Sequence, residues 1–174
     1  SDVYKRQAYN RIGDCYLDVR NFDEAKHYYS QAEAMNTPSG DYSFYQLALV
    51  SGLQKDYSGK ITLLNRLAGK YPASPYAISA LYEKGRSYVL MDNNQQAIAS
   101  FKELLAKYPE SPVSRKAAAE IGLLYYQNED YDQAINAYKQ VVQKYPGSDE
   151  ARLAMRDLKS IYVLSLIHIS EPTR

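Results

Sequence analysis

The 174-residue chain has no tryptophan, a single cysteine and almost no net charge. Each shortage excludes something. One cysteine, Cys15, rules out an internal disulfide framework. Lys+Arg number 21 against 20 Asp+Glu, a formal +1, so no global field draws the chain to nucleic acid or an anionic membrane. No apolar run reaches the roughly 20 residues of a membrane span, and direct membrane insertion is not expected. Also missing are a glycine-rich phosphate loop, a nucleophile elbow and any metal-ligand spacing, so neither cofactor nor metal is expected and the chain reads as non-enzymatic. What is abundant is tyrosine, 19 residues, within a 45% hydrophobic share that suffices to bury a core.

The prolines and tyrosines recur in phrase. Lys70-Tyr71-Pro72-Ala73-Ser74, Lys107-Tyr108-Pro109-Glu110-Ser111 and Lys144-Tyr145-Pro146-Gly147-Ser148 place their prolines 37 residues apart. A fixed period of this size marks a stacked array of supersecondary units. Phe22-Asp23-Glu24-Ala25 parallels Tyr131-Asp132-Gln133-Ala134, and Gly13-x-x-Tyr16 parallels Gly85-x-x-Tyr88 and Gly122-x-x-Tyr125. Between these markers the pattern is helical: Ile121, Leu124 and Tyr125 share one stripe, and Ile135, Tyr138, Val141 and Val142 another. Stripes of about three to four turns are unstable alone in water, so pairing and stacking must stabilise them.

Helix punctuation agrees with the period. Ser74-Pro75 and Ser111-Pro112 offer a hydroxyl N-cap followed by proline at the first helical position. Ser148-Asp149-Glu150 substitutes carboxylates that suit a helix start. Asn21-x-x-Glu24, Asn93-x-x-Gln96 and Asp130-x-x-Gln133 have capping-box spacing. These signals predict nine helices and no strand, over 8–19, 22–35, 41–54, 57–70, 75–91, 94–107, 112–127, 131–144 and 148–163.

Gly13, Tyr16, Ala25 and Tyr29, then Gly85, Tyr88, Ala97, Phe101 and Pro109, then Gly122, Tyr125, Ala134, Tyr138 and Pro146 together resemble the tetratricopeptide-repeat (TPR) signature. In that pattern glycine on one helix faces alanine on the next while aromatics fill the wider space beside them. The second unit departs from it: Ala48 is in place, but Lys60 stands where alanine is expected. The resemblance implies an all-α fold, a right-handed superhelical solenoid of antiparallel helix pairs. Units are expected at about 8–40, 41–73, 74–110 and 111–147, with the first helix of a fifth at 148–163. The Tyr-Pro-x-Ser phrase is similar to bacterial cell-envelope TPR proteins: BamD-like outer-membrane assembly lipoproteins, Tol–Pal coordinator proteins and the long TPR proteins of Bacteroidota. That likeness favours the periplasm or an outer-membrane association over the cytoplasm.

The two ends read differently from the array. Asp2-Val3-Tyr4-Lys5-Arg6-Gln7 can be coded GATGTGTATAAGAGACAG, and the reverse complement of that stretch reads Leu164-Ser165-Leu166-Ile167-His168-Ile169. A relation between opposite strands has no protein-level cause and resembles a sequencing-library adapter. Segments 1–7 and 164–174 are therefore expected to be adapter-derived, flanking a metagenomic fragment at 8–163. The apolar 164–169 run follows Ile161-Tyr162-Val163 and is expected to prolong the last helix.

His27, among Lys26, Tyr28 and Tyr29, lacks the neighbouring ligands of a metal site. Cys15 is expected to be a small buried filler, without a base to activate it. In the TPR family the second, fifth, ninth, twelfth and thirteenth positions of first helices line the concave groove. Carried over, the resemblance implies partner contacts by Asn10, Asp14, Leu17, Tyr42, Tyr45, Leu49, Tyr82, Arg86, Leu123 and Tyr126. Position nine runs Asp14, Leu49, Arg86, Leu123, without the cations that would clamp a chaperone-tail carboxylate. The expected function is an interaction scaffold whose groove takes a protein or peptide segment, with no nucleic acid among its partners. The alternative is an accessory repeat region of a larger enzyme or signalling protein whose catalytic domain lies elsewhere.

Overall fold

Nine α-helices and no strand make up the described residues, 1–170, of the computed structural model. They are α1 (Asp2–Asp18), α2 (Phe22–Ala34), α3 (Asp41–Leu53), α4 (Tyr57–Lys70), α5 (Ala77–Leu90), α6 (Asn94–Lys107), α7 (Pro112–Gln127), α8 (Tyr131–Lys144) and α9 (Asp149–Ser170). The fold is all-α and repetitive, as the period predicts. Two compact units divide within α6, between Ala97 and Ile98. In the first, each helix from α2 to α5 packs on its predecessor; in the second, α8 packs on α7, and α9 on both.

The turns inside each helix pair explain the regularity. Arg20, Lys55, Asp92 and Glu129 all adopt positive φ, between 58° and 64°. The next amide reaches back five residues: Asn21 N–H donates to the Tyr16 carbonyl at 2.8 Å, Asp56 to Ser51 at 2.9 Å, Asn93 to Tyr88 at 2.9 Å and Asp130 to Tyr125 at 3.0 Å. This is the six-to-one closure of a Schellman motif. The residue that closes one helix then caps the next. The side chains of Asn21, Asp56, Asn93 and Asp130 accept from the amides of Glu24, Gly59, Gln96 and Gln133 at 2.9–3.4 Å.

The packing follows the glycine–aromatic rule. A Cβ built on Gly13 would lie 2.7 Å from the Tyr29 ring, and one on Gly122 would lie 2.6 Å from the Tyr138 ring. Ala25, Tyr29, Leu47 and Val50 form one buried cluster, and Phe44, Ala48, Leu64, Leu67 and Ala80 the next. Ala134, Tyr138, Val141, Ala154 and Ile161 form that of the second unit. Lys60, the misfit of the second repeat, is in register with Ala25 and Ala134 and buried. Its stem runs past Gly52, where a Cβ would come within 2.8 Å of Lys60 Cδ, and its ammonium pairs with Glu83 of α5.

Several expectations need correction. α1 begins at Asp2 rather than residue 8, and Arg6 is buried, its guanidinium donating to Thr37 Oγ1. α5 starts at Ala77 rather than at residue 75; Ser74 Oγ accepts from the Tyr76 amide at 3.1 Å and also donates to Asp41 at 2.8 Å. Ser111 Oγ accepts in the same way, from Val113 N–H at 3.2 Å, and there the helix begins at Pro112. Cys15 is exposed, not buried: it lies about 200° around α1 from the buried Gly13, so its thiol points outward. As expected of the apolar 164–169 run, α9 continues to Ser170, and it leaves Leu153, Met155, Tyr162, Val163, Leu164 and Leu166 exposed. The part of the tail expectation that falls on 171–174 lies outside the described residues.

Candidate functional site

Within the first unit, α1, α3 and α5 carry eight of the ten predicted groove residues. Asp14 is the hinge of their arrangement. One carboxylate oxygen, Oδ1, accepts the hydroxyl of Tyr29 at 2.6 Å and that of Tyr42 at 2.7 Å. Three helices are thereby tied at one atom. Burial first, and then the hydrogen bond to Asp14, push both hydroxyls well above the ordinary tyrosine range. They remain neutral donors, which suits them to a carboxylate acceptor.

From Tyr29 a row of rings runs toward α5. Tyr29 and Tyr42 meet edge to face at 6.4 Å, Tyr42 and Tyr76 are tilted at 6.1 Å, and Tyr76 stacks on Tyr45 at 4.9 Å and 14°. Burial raises Tyr45 and Tyr76 too, followed by the charges of Glu83 and of Asp41 respectively. Rings held by neighbours on two sides keep few rotamers, so they offer rigid apolar area with a polar tip. Tyr42 and Tyr45 are half-buried, as are Leu17, Leu49 and Tyr82; Arg86 is exposed.

Two predicted groove residues have an inward role. Asn10 is buried and its Oδ1 accepts from Ser43 Oγ at 2.9 Å, while Asp14 is engaged by the two tyrosines. They position α3 against α1. Leu123 and Tyr126 belong to the second unit; Leu123 is exposed, and Tyr126 is half-buried with its ring edge-on to Tyr131 at 5.8 Å. Tyr76 was missed by the sequence reading, because the Ser74-Pro75 pair reads as the helix start itself. An aromatic beside that proline, at a position for which the repeat signature has no use, was the available signal.

Nothing in this arrangement pairs a nucleophile with a base. His27 is exposed, its ring edge-on to Tyr28 at 5.2 Å, and no metal-competent group of His, Cys, Asp or Glu occurs among the described residues. No described helix is long and apolar enough to cross a membrane.

Family comparison decides the repeat type. Tetratricopeptide-repeat family models match in succession at 7–37, 42–74 and 82–149. The chain carries tetratricopeptide repeats. The 42–74 match includes Lys60, so the second TPR is a true repeat with a substituted contact. No curated protein sequence matches. Among solved structures the fold is similar to the crystal structure of MamA protein, with TM-score 0.69 and 21% identity over 95% of this chain and 88% of that one. It is similar to MamA from Desulfovibrio magneticus, with TM-score 0.67 and 18% identity over 97% and 98%. A tetratricopeptide repeat protein from Parabacteroides merdae gives TM-score 0.74 and 17% identity over 91% of this chain and 60% of that one. The chain thus spans 60% of that protein's length. TPR domains mediate protein–protein interaction, and no catalytic family is indicated.

Proposed function

We propose that this TPR array is an interaction scaffold whose contact surface is the α1–α3–α5 face of the first unit. The observation that carries the reading is the row Tyr42–Tyr76–Tyr45, fixed through Tyr42 to Asp14. Affinity for a flexible segment is limited by ordering losses, and a receptor surface already immobilised has little to lose. Tyrosine is also enriched among residues that anchor interfaces. The partner is a protein or peptide segment, and the chain itself performs no catalysis.

The test uses the Tyr45→Ala/Tyr76→Ala variant. Partners recovered on the immobilised wild-type chain are purified and titrated against both proteins. Binding about tenfold or more weaker for the variant, with unchanged helicity, supports the reading. Equal affinity would remove the tyrosine face from the interface.

We further propose that this protein works in the bacterial cell envelope. The Tyr-Pro-x-Ser phrases, similar to those of envelope TPR proteins, support this placement. Antibody detection across cytosolic, periplasmic and membrane fractions of a bacterium carrying the gene tests it, and recovery in the cytosol alone overturns it.

A further inference from the structure

The second unit holds a crevice of about 280 Å³ that includes neither Leu123 nor Tyr126. It lies between the distal part of α6 and α8, with α7 contributing Ala118, Ile121 and Tyr125. Leu123 sits about 140° around α7 from Ala118, on a different side of the helix. The crevice is therefore separate in position from any groove that uses Leu123.

Its lining is chemically one-sided. Lys102 and Lys144 stand on α6 and α8, Gln133, Asn136 and Gln140 supply amides, and no carboxylate contributes. Lys102 Nζ donates to Tyr125 Oη at 3.0 Å. Tyr125 accepts in that bond, and so keeps its own O–H proton to donate elsewhere. Lys144 Nζ lies 5.5 Å from the centre of the Tyr145 ring. Neither lysine has an acidic partner among the described residues. Beneath these donors Ile121, Ala137 and Val141 give an apolar floor.

We propose that this crevice is a binding site for a carboxylate carried on a short apolar body. Two ammonium groups and a tyrosine hydroxyl provide charge-assisted and neutral hydrogen bonds for the anion, and the floor takes the hydrocarbon part. The volume sits just below the range of about 300–1,000 Å³ typical for drug-sized ligands. It fits a group the size of one side chain. Such a carboxylate comes either from a free small molecule or from the terminal residue of a peptide.

The probes are 3-phenylpropionate, its neutral amide, and a tetrapeptide ending in phenylalanine with a free or an amidated terminus. Titration is followed by amide chemical shifts of the isotope-labelled full chain. The acid, the free-terminus peptide or both should shift resonances in 118–125 and 133–145 and leave 41–53 unmoved. The amidated counterparts should bind about tenfold or more weakly. Saturation by the acid alone identifies a small-molecule site, and tighter binding of the peptide identifies a terminus-reading site. Lys102→Gln/Lys144→Gln should reduce affinity about tenfold or more with unchanged circular dichroism. If the double variant loses helicity, Lys144→Gln alone and the salt dependence of wild-type binding serve in its place. Absence of shifts in 118–145, equal binding of acid and amide, or affinity indifferent to the lysines overturns the proposal.

Discussion

At Gly122 the missing side chain is what lets Tyr138 lie against α7, and at Gly13 the same holds for Tyr29 against α1. A single methyl group would stand 2.6–2.7 Å from ring carbons at either site. Both rings are all but fully buried and cannot swing away. Gly122→Leu is therefore expected to destabilise by about 1–3 kcal/mol or more, and even Gly122→Ala measurably. Thermal melting checks this, and an unchanged midpoint for both variants would show that α7 and α8 tolerate separation. The Tyr29 and Tyr42 hydroxyls make a second prediction. Their folded pKa values lie well above the unfolded value of 10.0. The folded state therefore holds protons that the unfolded chain releases, and the stability they contribute is full below about pH 10 and falls as pH rises beyond it. Melting temperature between about pH 8 and about pH 11 should drop more steeply for the wild type than for Tyr29→Phe/Tyr42→Phe. Parallel curves would mean that neither burial nor Asp14 raises these hydroxyls in the folded chain.

Each TPR turn places an ordinary residue in left-handed backbone. Arg20, Lys55, Asp92 and Glu129 hold φ near 60° without being glycine. A side chain in that region costs about 1–2 kcal/mol, partly offset by the entropy glycine would lose on folding. Lys55→Gly and Glu129→Gly are each expected to stabilise by up to about 1 kcal/mol, read as a rise in denaturation midpoint with an unchanged slope. A fall would show that the stems of these residues pack more than their backbone strains. The element boundaries were legible because short polar caps announce them: Asn21, Asn93 and Asp130 each stand one residue before a helix. The start of α5 was not. Ser74 and Ser111 precede proline in the same phrase and accept from the amide two residues on, yet Ser74 also donates to Asp41, at 2.8 Å. That bond reaches a residue 33 positions away, which local spacing cannot register.

Across the chain the repeat was legible because its period is written in residue types that sterics requires, glycine against aromatic and alanine against alanine. The candidate site was legible only in outline. Family positions pointed to Asp14, Tyr42 and Tyr45, but that Asp14 is shared by two hydroxyls and that Tyr76 lies between Tyr42 and Tyr45 are facts of tertiary distance. Lys60 shows the same limit: its burial is tolerable because Gly52 leaves room and Glu83 supplies a charge, each from a different helix. A removed partner would strand the ammonium, so such local dependencies matter for how the array fails. In a repeat array each helix pair depends mainly on its neighbours, and stability is approximately a sum of local and nearest-neighbour terms. The chain's division near Ala97 then carries a prediction about cooperativity. Under native conditions Gly13→Leu should lower amide-exchange protection in α1–α4 while sparing α7 and α8, and Gly122→Leu should do the reverse. Protection is read residue by residue at a denaturant concentration below the global transition. If either substitution lowers protection equally in both sets of helices, the chain unfolds as one body, and the contact boundary within α6 has no energetic counterpart.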